Sequence, residues 1–192
     1  DLSKQIKALL ENKDYGFVYN DVNVIDQFNN VNYTLESEEE FEKREDMLAY
    51  ILYRQIIPAP ASIMISKKCL NERIYYSAKY SNSEDYFFTI RLLQKVSGLY
   101  LKESLYLYRR HEDNLTNNHN KQKECEKKII KDLGINTIND IVKASSFNLS
   151  YKRLLLSKIY HKIDEIELAY NVLEQIEDKN RNFDFYFHKG VC

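Results

Sequence analysis

The sequence changes character near residue 120, and this change limits the folds that the chain can form. Before it, strand-like stretches rich in β-branched and aromatic residues (17–25, 62–66, 99–101 and 104–109) alternate with helical stretches. After it, apolar residues repeat only at helical spacing, over 121–133, 137–145, 150–162, 164–177 and from 183. We therefore predict an α/β part over residues 1–120, followed by an all-α region of helical hairpins over residues 121–192.

Composition argues against several classes of protein. The chain has 192 residues, with 28 Lys and Arg against 29 Asp and Glu, so a nucleic-acid binder that depends on net charge is not indicated. No apolar run approaches the roughly 20 residues of a transmembrane helix. The three cysteines lie far apart, which indicates free thiols in a reducing, cytoplasmic compartment. The chain begins Asp-Leu-Ser, without an initiator Met or signal peptide, and we expect it to be a piece of a longer protein.

Two charged clusters are candidates for chemistry. Glu84 and Asp85 begin a predicted helix that starts at Ser83 and ends at Gly98, while Arg109, Arg110 and His111 follow the last strand candidate. Each cluster also has a plain structural interpretation. Acids in a first helical turn compensate the helix dipole and need no function. Basic residues at a strand end are commonly a solvated terminus. The residue types alone leave both interpretations open.

Five short segments together resemble one family. They are residues 2–5, 15–21 (Y-x-F-V-Y-x-D), 57–66 (I-P-x-x-x-S-x-M), 83–92 (E-D-Y-x-x-x-x-R-L) and 108–116 (Y-R-x-H-x-x-N-x-T). In this order and spacing they resemble the second half of a GT-A glycosyltransferase of family 2. These are inverting enzymes that use nucleotide-sugars. The resemblance covers about residues 2–116 and implies the acceptor-side half of a GT-A fold.

The resemblance also implies roles for the charged clusters. Asp85 would be the base that takes the proton of the acceptor hydroxyl, and Glu84 would orient it or contact the acceptor. Arg109 or Arg110 would pair with phosphate oxygens of the donor, and His111 would approach the metal or the diphosphate. The implied donor is a nucleotide-sugar, and the acceptor is a glycan, a lipid-linked glycan or a protein. A divalent cation, Mn²⁺ or Mg²⁺, is expected in the intact enzyme.

The chain departs from the family in lacking the nucleotide-binding half, whose acid-x-acid metal motif is expected upstream of residue 1. We therefore expect the chain to be inactive alone and to hold no cofactor by itself. The resemblance places the enzyme in the cytoplasm, or peripherally at the inner face of the membrane. No nucleic-acid partner and no transmembrane segment are expected.

The predicted tail has a second, weaker resemblance. Leu156, Ser157, Tyr160, Ala169 and Leu173 fall on the large, small, aromatic, small and large positions of a tetratricopeptide-like helical hairpin. An ordinary helical hairpin packed on the catalytic body is the alternative. The tail could recruit a protein partner, and the rival function is a non-catalytic helical-repeat scaffold that the α/β part only supports.

Overall fold

A computed structural model describes residues 2–37, 39–72, 74–110 and 119–191. The strands are β1 (Tyr15–Ile25), β2 (Val31–Leu35), β3 (Met64–Ile65) and β4 (Ser97–Arg109). The helices are α1 (Leu2–Glu11), α2 (Arg44–Tyr53), α3 (Glu84–Leu93), α4 (His119–Leu133), α5 (Ile135–Ala144), α6 (Leu149–Lys162), α7 (Ile166–Glu174) and α8 (Phe183–Lys189). Short 3₁₀ turns lie at Pro60–Ser62, Lys67–Glu72, Ala78–Tyr80 and Asp178–Asn180. The predicted order, an α/β part followed by helices, is confirmed.

The four strands form one mixed sheet centred on β1. Strand β4 pairs with β1 in parallel along its whole length, while β2 and β3 pair with it antiparallel at its end and start. Nearly every residue of β1 is buried, because both faces of the sheet are covered. The chain between β1 and β4 forms β2, α2, β3 and α3, and α3 ends at Leu93, shortly before β4 begins at Ser97. The end of α3 therefore lies beside the start of β4.

One hydrophobic core joins the α/β part to the helical region. It contains Phe17 and Tyr19 of β1, Ile51 of α2, and Ile130 and Ile159 of the later helices. A hydrogen-bonded contact crosses the same junction. The two carboxylate oxygens of the buried Asp46 accept hydrogen bonds from the backbone N–H and the hydroxyl of Ser146, at 2.5 and 2.6 Å. The helical region thus packs directly on the sheet-bearing part, and the boundary near residue 120 stays a prediction.

Two predictions about the region of β4 were wrong. The sequence indicates two short strands, yet one strand runs through the polar Lys102 and Glu103 because the ladder with β1 continues on either side of them. Gly98 was expected to end α3, but α3 ends at Leu93 and Gly98 lies in β4. A Cβ atom at Gly98 would come within 2.3 Å of the Phe17 ring, so close approach explains this glycine.

The hairpin between β1 and β2 was not predicted. The Asp26 carboxylate accepts hydrogen bonds from the backbone N–H groups of Phe28 and Asn30, and Asn29 takes a left-handed conformation with φ 70°. These are the usual features of a tight turn. Strand β2 is mostly exposed, so no alternation of buried and exposed side chains reveals it in the sequence.

Other boundaries also differ from the prediction. Composition predicts a solvated helix face or a loop over the acidic stretch 36–46, and this stretch enters α2 only at Arg44. Apolar content predicts a helix over 47–57, whereas α2 ends at Tyr53. The strand predicted over 62–66 is regular only at Met64–Ile65. The polar residues 112–123 predict a loop, but the chain is already helical from His119, and residues 112–118 lie outside the described residues.

Helix α1 forms as predicted but presents its apolar face to solvent. Leu2, Ile6 and Leu10 are 68%, 49% and 67% exposed. The buried side includes Gln5, whose amide donates hydrogen bonds to the Asn20 side chain at 2.7 Å and to the carbonyl of Ser62 at 3.1 Å. These bonds satisfy the buried amide, and α1 docks on β1 with Gln5 and Ala8 buried.

The helical hairpin of the tail has the predicted contact. Helices α6 and α7 pack together with Ala169 and Leu173 fully buried and Tyr160 2% exposed. The hydroxyl of Ser157 donates to the carbonyl oxygen of Ala169 at 2.7 Å, so the two backbones approach closely at a small residue. Phe185 of α8 then packs into a second apolar cluster with Leu173. The assignment to a tetratricopeptide-like repeat stays a prediction.

Candidate active site

The first turn of α3 is tied to α4. Ser83 occupies the N-cap position of α3, where serine is a favoured capping residue, but its hydroxyl makes no capping hydrogen bond. The hydroxyl instead donates to the carbonyl oxygens of Asn82 at 2.7 Å and of Gln122 at 3.3 Å. Since Ser83 is fully buried, these carbonyls provide the partners that its hydroxyl needs. Glu84 and Asp85 therefore start from a fixed backbone.

Asp85 is half-buried, and its surroundings disfavour a negative charge. Burial raises the pKa of the Asp85 carboxyl, and the neighbouring charges of Glu84 and Glu126 raise it further. The backbone N–H of Tyr86, which donates to Asp85 Oδ1 at 2.8 Å, acts in the opposite direction. A carboxylate with a raised pKa is a better proton acceptor than a solvated one, and such groups cluster at functional sites.

Tyr86 holds this turn in place. Its ring is 1% exposed, and its hydroxyl donates to the carbonyl oxygen of Ile51 in α2 at 2.6 Å. The ammonium of Lys162 in α6 lies 4.9 Å from the ring centroid and 3.4 Å from the hydroxyl oxygen. A backbone carbonyl of α2 and a side chain of α6 thus position the residue that follows Asp85, which makes the site rigid.

Tyr76 is a residue near the acid pair that sequence reasoning missed. It is 55% exposed, and its ring stacks on Phe88 at 4.5 Å between centroids. Burial raises its pKa, as do the charges of Asp85 and Glu84, so its hydroxyl lies within the field of both carboxylates. The pair Tyr75-Tyr76 was visible in the sequence, but nothing local places one of these rings beside the acids.

Arg109 and Arg110 bind the β1–β2 hairpin. Arg109 donates from Nη1 to the carbonyl oxygen of Asp26 at 2.5 Å and from Nη2 to Asn29 Oδ1 at 2.6 Å. Arg110 donates from Nη1 to the hydroxyl of Tyr33 at 3.0 Å. A guanidinium has five N–H donors, so the bond of Arg110 to Tyr33 leaves donors of Arg110 for a phosphate contact. The predicted role of both arginines in donor binding stays a prediction.

The acid pair (Glu84 and Asp85) and the arginine pair (Arg109 and Arg110) lie far apart along the direction of β4. The ten residues of α3 span roughly 15 Å, whereas the thirteen residues of β4 span roughly 43 Å. Because α3 ends beside the start of β4, Arg109 extends well beyond the start of α3. The charges that act on Asp85 come from other acids. The structure therefore places Glu84 and Asp85 side by side, and the two arginines are not part of this cluster.

The remaining predicted site residue, His111, lies outside the described residues, so its place near a metal stays a prediction. Among the residues that are described, no three His, Cys, Asp or Glu side chains are grouped so that they could hold a metal ion. The described side chains therefore do not by themselves fit a divalent cation. Any cation would need ligands from elsewhere, as the expected upstream acid-x-acid motif would supply.

Comparison with known proteins adds no family to this description. No protein-family model matches the chain, and no curated protein sequence matches it significantly. Within the described ranges, every helix is too short or too polar to cross a membrane. The geometry around the first turn of α3 is therefore the basis for any functional assignment.

Proposed function

We propose that this chain is the acceptor-side half of an inverting glycosyltransferase of the GT-A type. The observation that carries the proposal is Asp85, a half-buried carboxyl with a raised pKa in the first turn of α3, which Ser83 ties to α4. The ordered set of five sequence segments supports the same assignment. Fold-level likeness alone would not, because one fold hosts many functions.

The proposed chemistry is a single displacement. The acceptor hydroxyl attacks the anomeric carbon of the donor sugar, its proton passes to an Asp85 carboxylate oxygen, and the bond to the nucleoside diphosphate breaks. Burial raises the basicity of Asp85, and Tyr86 keeps its backbone in place. A divalent cation, when bound with upstream ligands, would neutralise charge on the leaving diphosphate.

The surface of α1 supports a further layer in the intact enzyme. Leu2, Ile6 and Leu10 form an exposed apolar stripe along one face of the helix. Exposed apolar surface of this kind commonly marks a contact with another element. In the proposal, the nucleotide-binding half covers this stripe, which would explain why α1 buries Gln5 rather than its leucines.

The rival function is a helical scaffold. Its supporting observation is α8, where Phe183 and Phe187 are 80% and 64% exposed beside the closed α6–α7 hairpin. A scaffold would use this aromatic surface for a protein partner and would have no need for a raised pKa at Asp85. The two functions therefore differ in whether they require the Asp85 carboxyl at the start of α3.

The test is a transfer assay on the full-length protein with a panel of nucleotide-sugars and Mn²⁺ or Mg²⁺. We expect release of the nucleoside diphosphate that depends on an acceptor, and NMR of the product should show inversion at the anomeric carbon. A product with retained configuration would contradict Asp85 as the base of a single displacement. An upstream sequence without an acid-x-acid motif, together with no turnover, would favour the scaffold.

A further inference from the structure

A cation-rich cavity lies beside the candidate base. It has a volume of about 700 Å³ and opens between the end of α2, the first turns of α4, the end of α6 and the end of α8. Its cationic lining residues are Arg54, Lys123, Lys127, Lys158 and Lys162. Two acids, Glu124 and Glu126, also line it. The cavity thus has an excess of positive charge, whereas the whole chain has a net charge of −1.

Three of these lysines retain hydrogen-bond donors. Lys127 and Lys158 each form one ion pair, with Asp164 at 2.5 Å and with Asp184 at 3.1 Å. An ammonium has three N–H donors, so a single carboxylate oxygen does not exhaust it. Lys123 is exposed and has no hydrogen bond or ion pair within the part of the chain that the structure describes. The wall of the cavity can therefore donate to an anion from three directions.

Lys162 lines the cavity but is fully hydrogen-bonded within the protein. Its ammonium donates to the carbonyl oxygen of Tyr53 at 3.1 Å, to Glu126 Oε2 at 3.1 Å and to the Tyr86 hydroxyl at 3.4 Å. These bonds use all three of its donors, and burial lowers its pKa. The Tyr53 carbonyl belongs to the end of α2, so Lys162 also compensates the negative end of that helix.

The same residues connect the cavity to the start of α3. Gln122 lines the cavity and accepts the hydrogen bond from Ser83, and Glu126 lines it and raises the pKa of Asp85. A ligand held in the cavity by an anionic group would therefore extend toward the carboxyl that the proposed function uses as base.

We propose that this cavity binds a phosphate group carried by the acceptor. The assignment of that phosphate to an acceptor rests on the proposed glycosyl transfer, whereas the binding itself does not. A phosphate presents several oxygens that accept charge-assisted hydrogen bonds at once, which suits ammonium groups arriving from α4 and α6. The phosphate could belong to a soluble sugar phosphate or to a lipid headgroup, and the two share this chemistry.

The first experiment titrates the protein with inorganic pyrophosphate and follows binding by NMR or calorimetry. We expect saturable binding that Lys123→Gln weakens about tenfold, the loss of one charge-assisted hydrogen bond. Because Lys123 is exposed and unpaired in the described structure, this variant should fold normally. Lys102→Gln, at an exposed position of β4, makes the same charge change away from the cavity and should leave binding unchanged.

The second experiment distinguishes the source of the phosphate. Vesicles of phosphatidylcholine with and without phosphatidic acid are sedimented with the protein and with both variants. Binding that needs phosphatidic acid and Lys123 indicates a lipid-borne phosphate, and binding to pyrophosphate alone indicates a soluble one. The proposal is overturned if neither probe binds, or if the two lysine variants weaken binding equally. Asp85→Asn should leave pyrophosphate binding intact, so failure of the transfer assay does not affect this result.

Discussion

The acid pair at the start of α3 and the arginine pair at the end of β4 have opposite surroundings. Asp85 is half-buried, and the nearby charges that affect its pKa are those of other acids. Arg109 and Arg110 are exposed, and their guanidinium groups donate to the β1–β2 hairpin. The same sequence resemblance implies functional roles for both pairs. Only the acid pair contains a residue, Asp85, whose charged form the folded structure disfavours.

This difference distinguishes residues that are retained for function from residues that contribute to folding stability. A group whose charge the fold disfavours costs stability at neutral pH and is retained more readily for function than for folding. A group that donates to an otherwise mobile turn contributes to folding whether or not it binds a ligand. Stability and activity should therefore respond differently to substitutions in the two pairs.

The largest expected effect is on turnover. Asp85→Asn keeps the size of the side chain and removes the proposed base, so kcat of the proposed intact enzyme should fall about 10²- to 10⁴-fold while donor binding survives. Arg109→Gln removes at most one charge-assisted bond to the donor and should cost about tenfold or less. Steady-state kinetics of the two variants measure the contrast. Turnover near that of the wild type in Asp85→Asn, or equal losses in both variants, would refute it.

The next effect is on stability, and its sign should differ between the pairs. Arg109→Gln removes the bonds to Asp26 and Asn29 and should lower the free energy of unfolding by about 1 kcal/mol, a value reduced by solvent exposure. Asp85→Asn should leave it unchanged or raise it at pH 7, because the raised pKa shows that burial disfavours the carboxylate. Urea denaturation of both variants provides the measurement. A clear loss of stability in Asp85→Asn would assign this residue to folding.

The smallest effect is a shift in pH dependence. A base acts when deprotonated, so kcat/KM should rise with pH through the raised pKa of Asp85. Glu84 contributes to that raised value, and Glu84→Gln should therefore move the acidic limb to lower pH by a fraction of a unit. Arg110→Gln, at the other pair, should leave the limb in place. A limb that moves to higher pH in Glu84→Gln would contradict the electrostatic description of the site.

Helical periodicity was a reliable guide wherever a helix had ten or more residues and a clear apolar face. It located α1, α4 and α6 to within two residues, and it located the start of α3 but not its end. It failed for β2, whose five residues are largely exposed, and for the junction inside β4, where the ladder with β1 overrides a polar pair. Short or solvated strands lack the alternation that burial imposes, so their sequence does not distinguish them from loops.

The sequence by itself determined that Glu84 and Asp85 begin a helix, because the apolar repeat that follows them is local information. Only the tertiary structure decided that Glu126 and Lys162 of the helical region meet that helix, and that Arg109 reaches Asn29. It also decided that α1 buries Gln5, since Asn20 and Ser62 satisfy the amide. Burial and hydrogen-bond partners depend on residues distant in the chain, and no local pattern encodes them.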